Sequence, residues 1–211
     1  MDRIVIGVSG GSGSGKSVFI NDLKSKFADH EVALISQDNY YKPREMQKKD
    51  GQGVRNFDLP YSIELDEFER DLRQLIKGES VTRREYCYNN ALATPQLITV
   101  APAPVILAEG LFLFHHSPTW ELLNLRIFLQ ASGSQMLSRR IIRDQTERNY
   151  PLEDVLYRFE HHVSPAFKQF IEPYQNQVDI IINNYSNYRA GLNVLEGYIR
   201  HILYKYPYPK G

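Results

Sequence analysis

The sequence predicts a doubly wound α/β fold on a parallel sheet, and three observations predict it. Five short apolar runs rich in β-branched residues recur along the 211-residue chain. Helix-length segments separate most of them, and the first run leads into a glycine-rich loop that precedes a helical pattern. Parallel strands covered on both faces need such continuous apolar runs, whereas half-exposed antiparallel strands alternate. The alternation of strands and helices therefore indicates a doubly wound arrangement.

Each element follows from its own stretch of sequence. The predicted strands are Ile4 to Val8, Val32 to Ile35, Val105 to Leu107, Leu125 to Leu129 and Val178 to Ile182. The predicted helices cover residues 16–28, 61–77, 133–148, 151–172 and 189–204. Within the fourth helix, Pro165 predicts a kink and Pro173 an end, because proline lacks the backbone N–H that continues a helix.

Residues 81–100 interrupt this alternation. They read VTRREYCYNNALATPQLITV, in which two Thr-rich runs flank Asn-Asn and a proline without helical spacing. This pattern predicts a small antiparallel excursion from the main sheet. Because 211 residues suit one sizeable core, the chain is expected to form a single domain over 1–211.

The composition is typical of a soluble globular protein, with 42% hydrophobic and 24% charged residues. Lys plus Arg and Asp plus Glu both number 25, so no global field recruits nucleic acid or an anionic membrane, and neither partner is expected. The single cysteine, Cys87, fits a reducing compartment and a small half-buried role. No apolar leader and no run of about 20 apolar residues is present, so we expect a cytoplasmic protein.

The stretch GGSGSGKS matches the phosphate-loop pattern G-x-x-x-x-G-K-[ST] between a predicted strand and a predicted helix. Glycines let consecutive backbone N–H groups point at phosphate oxygens, and the helix adds its positive end. The predicted ATP-binding residues are Gly10, Gly11, Ser12, Gly13, Ser14, Gly15, Lys16 and Ser17. Lys16 can reach the β and γ phosphates, and the Ser17 hydroxyl can ligate Mg²⁺. A flexible Gly/Ser linker would not sit between an apolar strand and an apolar helix.

Three carboxylates are candidates for chemistry beside this loop. Glu109 follows an apolar strand and is predicted to hold Mg²⁺, directly or through water. Asp38 ends the second strand and is the candidate base that takes the proton of an acceptor hydroxyl, with an Asx-turn as the alternative. Asp58 either binds substrate hydroxyls or caps the helix that follows it, and the sequence leaves both open.

The segment SRRIIRDQTERNY concentrates positive charge on a predicted helix. Its arginines are Arg139, Arg140, Arg143 and Arg148. At about 100° per residue, Arg140, Arg143 and Arg148 share one broad face and could neutralise phosphate charge during transfer. The alternative is a solvated face on which Asp144 and Glu147 pair with these arginines.

With these residues assembled, the chain resembles the uridine kinase family of P-loop kinases, which is similar to the phosphoribulokinases. Six segments carry the resemblance in order: GGSGSGKS at 10–17, QDNYYK at 37–42, NFDLP at 56–60, AEGLFLF at 108–114, RRIIRDQTER at 139–148 and VSPAFKQFIEPYQNQVDIII at 163–182. The resemblance spans residues 3 to about 204. It implies transfer of the γ-phosphate of ATP to the 5′-hydroxyl of a pyrimidine nucleoside, uridine or cytidine. It also implies a homo-oligomer.

The resemblance further implies individual roles. The phosphate and Mg²⁺ ligands would be Lys16, Ser17, Glu109 and Asp38, and Asp38 would also be the base. The ribose hydroxyls would be bound by Asp58 and Arg140. The nucleoside pocket would be lined by Tyr41, Phe57 and Tyr86. From an arginine-rich lid over residues 133–150, the phosphates would be contacted by Arg143 and Arg148.

The chain departs from the family pattern at the acceptor. Leu59 stands where members usually carry histidine after the aspartate, and Ala91 lies near the position of a base-reading histidine. Tyr150 replaces a lid arginine, and Arg158 stands where a smaller amide is expected. The pocket therefore loses groups that would discriminate one base from another.

These departures leave three functions open. The first is a uridine or cytidine kinase, and the second is a kinase for another small hydroxyl compound, for example one that carries its own anion. The third is a nucleotide-binding protein that has lost transfer. His161 and His162 are not expected to replace the missing histidines, because a helical histidine is usually hydrogen-bonded or solvent-facing.

Overall fold

The computed structural model describes residues 3–87 and 94–205, with a five-stranded parallel sheet at its centre. In chain order the strands are β1 (Ile4–Ser9), β2 (Val32–Ser36), β3 (Val81–Arg84), β4 (Leu97–Val100), β5 (Val105–Glu109), β6 (Leu125–Gln130) and β7 (Ile180–Asn183). The central sheet has the order β2-β5-β1-β6-β7, and every neighbouring pair is parallel. The predicted α/β class is therefore confirmed.

Helices flank this sheet. They are α1 (Lys16–Lys24), α2 (Leu65–Lys77), α3 (Ser117–Trp120), α4 (Gly133–Thr146), α5 (Leu152–Arg158), α6 (Ser164–Ala166) and α7 (Arg189–Lys205). Short 3-10 turns occupy Gln37–Tyr40, Arg44–Met46, Pro60–Ser62 and Glu172–Tyr174. Across the described ranges, no helix has both the length and the apolarity that crossing a membrane requires.

Two apolar layers hold the helices against the sheet, one on each face. Phe68 and Leu72 of α2 pack on one face, and Phe19 of α1 packs with Leu195 and Ile199 of α7 on the other. All five side chains are buried. Because both faces are covered, the inner strands β1 and β5 are almost entirely buried, whereas the edge strand β7 exposes Ile181.

The predicted excursion is an antiparallel pair, in which β3 and β4 align Val81 with Val100. Arg83 fastens it to α2, since its Nε lies 2.5 Å from Asp71 and its Nη1 2.7 Å from Glu67. Residues 88–93, which include Ala91, lie outside the described residues.

Several predicted boundaries were wrong by a few residues. Helix α1 ends at Lys24 instead of residue 28, and tight turns follow it. Helix α2 begins at Leu65 instead of residue 61, because Pro60 starts a separate 3-10 turn that ends at the extended Ile63. Helix α4 ends at Thr146 instead of residue 148, and Asn149 then takes a left-handed φ of 54°. Asparagine tolerates that region better than most residues. Strand β7 begins two residues later than predicted.

The helical path predicted for residues 151–172 is present but not uniform. Wide π-helical turns over Phe159–Val163 and Phe167–Ile171 flank α6, and Pro165 lies in its first turn. Proline cannot donate to the residue four positions earlier, and wide turns are a common way to absorb such a break. The path ends at the 3-10 turn that contains Pro173, as predicted.

Candidate active site

A cavity of about 710 Å³ opens at the carboxyl ends of the central strands. Most of the predicted site residues line it: Ser12, Gly13, Gly15, Lys16, Ser17, Asp38, Tyr41, Phe57, Asp58, Tyr86, Glu109, Arg140, Arg143 and Arg148. The predicted residues that do not line it are Gly10, Gly11 and Ser14, which are buried beneath the loop surface. The buried Ser14 Oγ has no hydrogen-bond partner among the described residues.

The glycines of the loop have a geometric purpose. Gly15 caps α1 with a φ of 96°, and Gly13 has a φ of 82°. A Cβ on Gly13 would lie 2.3 Å from the carbonyl oxygen of Met136 in α4. The loop can therefore turn and lie close under α4 only with glycine at this position.

We expect Gly13→Ala to lower the free energy of unfolding by about 2 kcal/mol or more, through left-handed strain and the backbone clash. Binding of ATP should weaken with it. Thermal unfolding and ATP titration measure the two effects. Gly133→Ala is the matched control, because that glycine starts α4 and a Cβ there meets nothing within 4 Å. Equal behaviour of the two variants would contradict the prediction.

Lys16 is 7% exposed, and its Nζ donates to the Gly11 carbonyl at 3.2 Å. Burial lowers the pKa of Lys16, while the charges of Glu109 and Asp38 oppose that shift. The ammonium is therefore a desolvated charge beside two carboxylates, which suits electrostatic contact with phosphate.

The two carboxylates lie at the ends of neighbouring strands: Glu109 is the last residue of β5, and Asp38 lies in the 3-10 turn directly after β2. Strand pairing sets Ser36 of β2 opposite Glu109. The Ser36 Oγ contacts both residues, since it donates to a Glu109 carboxylate oxygen and accepts from the Asp38 backbone N–H at 3.1 Å. Burial, with the charge of Asp38 next, raises the pKa of Glu109 to about 7 against the opposing effects of Lys16 and Ser36. Sequence reasoning missed Ser36.

The donor set at this edge fits Mg²⁺. Ser17, Asp38 and Glu109 line the same cavity and offer one hydroxyl and two carboxylates. Mg²⁺ in phosphate-binding sites uses one or two carboxylates and completes its shell with water and phosphate. No group of three or more His, Cys, Asp or Glu suited to a metal occurs in the part of the chain that the structure describes.

Asp58 pairs with Arg140 inside the cavity. The Arg140 Nη1 lies 3.3 Å from an Asp58 oxygen and 2.8 Å from the Ser12 Oγ, and Arg140 is 6% exposed. The capping alternative for Asp58 was wrong, because Leu59 precedes the 3-10 turn and Glu64 precedes α2. The Asp58 carboxylate instead pairs with Arg140, which also donates to the Ser12 hydroxyl of the phosphate loop.

Asp144 collects three arginines. Its oxygens lie 3.1 Å from Arg140, 2.9 Å from Arg143 and 3.2 Å from Arg148, and its side chain is 1% exposed. The alternative interpretation is therefore confirmed in one respect, since the arginines do pair with Asp144. All three arginines nevertheless line the cavity, so their pairing with Asp144 holds them at its wall.

Arg139 joins three segments of backbone. Its Nη1 donates to the Ser14 carbonyl at 3.1 Å and its Nη2 to the Asn184 carbonyl at 3.1 Å. The Asn184 Nδ2 donates to the same Ser14 carbonyl at 2.8 Å. Sequence reasoning missed Asn184, and its only signal was its place just after a parallel strand.

Three aromatic rings cluster in the lining of the cavity. The ring of Tyr41 has its centroid 6.4 Å from that of Phe57 and 5.3 Å from that of Tyr86. Arg158 also lines the cavity, with its Cζ 5.0 Å from the centroid of the Tyr150 ring. Flat apolar walls of this kind suit a planar ring in the ligand.

Two histidines follow α5, His161 and His162. Among the described residues, neither of them lines the cavity. His162 is 2% exposed, and its Nε2 lies 2.7 Å from an Asp50 oxygen. His161 is exposed and packs its ring 4.5 Å from that of Tyr157. His162 is thus hydrogen-bonded and His161 faces solvent, which are the two placements expected of helical histidines.

The first strand of the parallel sheet leads into a glycine-rich phosphate loop, and carboxylates and arginines surround the same cavity. This arrangement defines a small-molecule kinase of the P-loop class. The model of the phosphoribulokinase / uridine kinase family matches residues 5–189, and the chain belongs to that family.

Individual relatives agree with this placement. The uridine kinase of Vibrio cholerae serotype O1 is 32% identical over 204 residues, which cover 95% of this chain and 96% of the relative. A possible uridine kinase from Bacillus stearothermophilus superposes with a TM-score of 0.61 at 17% identity, over 86% of this chain and 89% of its own. Phosphoribulokinase from Rhodobacter spheroides superposes with a TM-score of 0.62 at 18% identity, over 86% and 70%. The two structures show the shared fold.

Proposed function

We propose that this protein transfers the γ-phosphate of ATP to the 5′-hydroxyl of a pyrimidine nucleoside, uridine or cytidine. The observation that carries the proposal is the single cavity in which the phosphate loop, Asp38 and the Asp58–Arg140 pair meet. Relatives at about one-third identity over nearly the whole chain that are named uridine kinases support the choice of acceptor.

In the proposed reaction, residues of the chain position the acceptor and neutralise the charge of the phosphates. Asp58 and Arg140 bind the ribose hydroxyls, and Asp38 accepts the proton that the 5′-hydroxyl loses as it attacks phosphorus. Lys16 binds phosphate oxygens at the loop and stabilises the charge of the transferring group.

Two further groups complete the proposed site. From the arginine-rich lid over residues 133–150, Arg143 and Arg148 add positive charge on the side facing the loop. Mg²⁺, held by Ser17, Glu109 and Asp38 when bound, would neutralise part of the phosphate charge.

We further propose that residues 1–211 form one kinase domain and that this domain assembles as a homo-oligomer. Light scattering of the purified chain would test the oligomeric state.

The direct test is ADP release from Mg-ATP with uridine, measured against a blank without acceptor. We expect a uridine-dependent rate, with uridine 5′-monophosphate as the second product. A rate equal to the blank for both uridine and cytidine would contradict the proposal. Binding of ATP, measured in parallel, separates a lost acceptor from a lost nucleotide site.

Arg158 favours a second candidate, a kinase whose acceptor carries its own anion. Its guanidinium lines the cavity beside the Tyr150 ring and is oriented by the Arg55 carbonyl, which lies 2.9 Å from Nη1. Guanidinium groups bind carboxylates and phosphates through paired N–H groups. A screen of hydroxyl compounds with and without an acidic group distinguishes the candidates, since preference for acidic acceptors would displace the nucleosides. Mg-ATP binding without any phosphorylated product would indicate a protein that has lost transfer.

A further inference from the structure

A carboxylate outside the cavity makes four hydrogen bonds. One oxygen of Asp50 accepts from the backbone N–H groups of Gln52 and Val54, each at 2.9 Å. Its other oxygen accepts from the Tyr157 hydroxyl and the His162 Nε2, each at 2.7 Å. The first two bonds shape the turn that contains Asp50, and the other two reach a helical segment more than 100 residues away in the sequence. We call these three side chains, Asp50, Tyr157 and His162, the Asp50 clamp.

The hydrogen bonds of the Asp50 clamp favour the charged form of the Asp50 carboxyl. Desolvation alone would raise the pKa of Asp50, but the hydrogen bonds from Tyr157, His162 and the two backbone amides outweigh it and hold the pKa well below its usual range. The buried His162 Nδ1 has no hydrogen-bond partner among the described residues. The proton of a neutral His162 is therefore on Nε2, where it faces the Asp50 carboxylate.

On one side, the clamp holds a short hairpin. Lys49 and Arg55 form an antiparallel bridge, and the Asp50 N–H donates to the Val54 carbonyl at 2.9 Å. The chain runs directly from this hairpin to Phe57 and Asp58, which line the cavity. A shift of the hairpin would therefore move both of these side chains.

On the other side, the clamp holds the helical segment that follows the arginine-rich lid. Tyr157 lies in α5 and His162 in the first π-helical turn. Between them in sequence, Arg158 lines the cavity and donates from Nη1 to the Arg55 carbonyl at 2.9 Å. The hairpin and this helical segment thus meet at the hydrogen bond between Arg158 and Arg55, and the Asp50 clamp joins them a second time.

We propose that Asp50, acting through His162 and Tyr157, is a positioning residue for the acceptor half of the active site. The clamp sets Phe57 and Asp58 on the hairpin side against Arg158 on the helix side. Among the described residues, the hydrogen bonds of the clamp reach neither Lys16 nor the rest of the phosphate loop. This inference rests on the proposed function for the identity of the acceptor, but not for the geometry of the clamp.

The test compares two disrupting variants with one conservative variant in the full-length protein. Asp50→Asn replaces one of the two accepting carboxylate oxygens with an amide NH₂ group, which cannot accept a hydrogen bond. His162→Leu removes the buried ring N–H that donates to Asp50. His162→Gln keeps an N–H that can reach Asp50, so it is the matched rescue. We expect the uridine KM to rise between about 10- and 100-fold in the first two variants and to return toward wild type in the third. The KM for ATP should stay within about twofold in all three.

These parameters separate positioning from simple loss of fold, because a smaller folded fraction lowers the apparent kcat without changing KM. A lowered melting temperature with both KM values unchanged in Asp50→Asn and His162→Leu would overturn the proposal. A failure of His162→Gln to recover the uridine KM would also count against it.

Amide hydrogen exchange supplies a readout that does not depend on the acceptor. In Asp50→Asn and His162→Leu we expect residues 52–58 to exchange about tenfold faster or more, while β1 is unchanged. Unchanged exchange over 52–58 would overturn the clamp. If the wild type makes no uridine-dependent ADP, the proposed function fails, and the exchange experiment alone then decides the clamp.

Discussion

Replacing Asp38 with asparagine should lower kcat for uridine phosphorylation by about 10²- to 10⁴-fold, the usual contribution of a positioned base. Asparagine keeps the shape of the side chain but accepts no proton. The neighbouring contacts predict little disturbance of the fold, because the Asp38 backbone N–H, and not its side chain, binds Ser36. Steady-state ADP release gives kcat, and ATP titration shows whether the nucleotide site remains intact.

Glu45→Gln is the control for this experiment. Glu45 is an exposed carboxylate in the nearby 3-10 turn and does not line the cavity. It removes the same charge from the same region, so its kcat should stay near that of the wild type. If Asp38→Asn retained more than about a fifth of wild-type turnover, Asp38 would not be the base.

Replacing Asp144 with asparagine should lower the free energy of unfolding by about 3 kcal/mol or more, because it removes one partner from a buried ion-pair network. Three arginines lie within 3.2 Å of this single carboxylate, which is 1% exposed. Without it, Arg140 in particular keeps a desolvated charge with less compensation. Denaturant unfolding, with and without ATP, measures the loss.

Glu147→Gln in the same segment is the matched control, because Glu147 is exposed and surface ion pairs contribute at most about 1 kcal/mol. Bound ATP should recover part of the stability that Asp144→Asn loses, since phosphate oxygens can replace the lost negative charge beside the arginines. Equal unfolding free energies for Asp144→Asn and wild type would contradict the network as drawn.

Local patterns predicted much of this molecule. The parallel strands were readable because two covered faces demand continuous β-branched runs, and the phosphate loop because its glycines and Lys16 stand between a strand and a helix. Asp38 and Glu109 could be placed at the same edge, since parallel strands end together. Helix ends were harder to predict. Residues 60–62 form a separate 3-10 turn, so α2 starts only at Leu65, and the choice between turn and helix depends on a few residues.

Contacts between distant parts of the chain were not predictable in this way. Asp50 carries no motif, and its partner His162 lies 112 residues away. Asp144 could be assigned to the arginine segment but not to a buried position, because burial depends on how α4 packs beside Asp58. The roles of Asp38, Asp58 and the lid arginines remain predictions, as do the acceptor and the homo-oligomer.

The contacts of Arg139 fasten α4 to the phosphate loop and to the segment after β7. Its guanidinium holds the Ser14 and Asn184 carbonyls, and the next residue, Arg140, holds Ser12 and Asp58. The first half of α4 is thus fastened to the phosphate loop, and Arg143 and Arg148 farther along the chain are held to α4 through the buried Asp144. Loosening α4 from the loop would therefore displace these arginines together, as one unit.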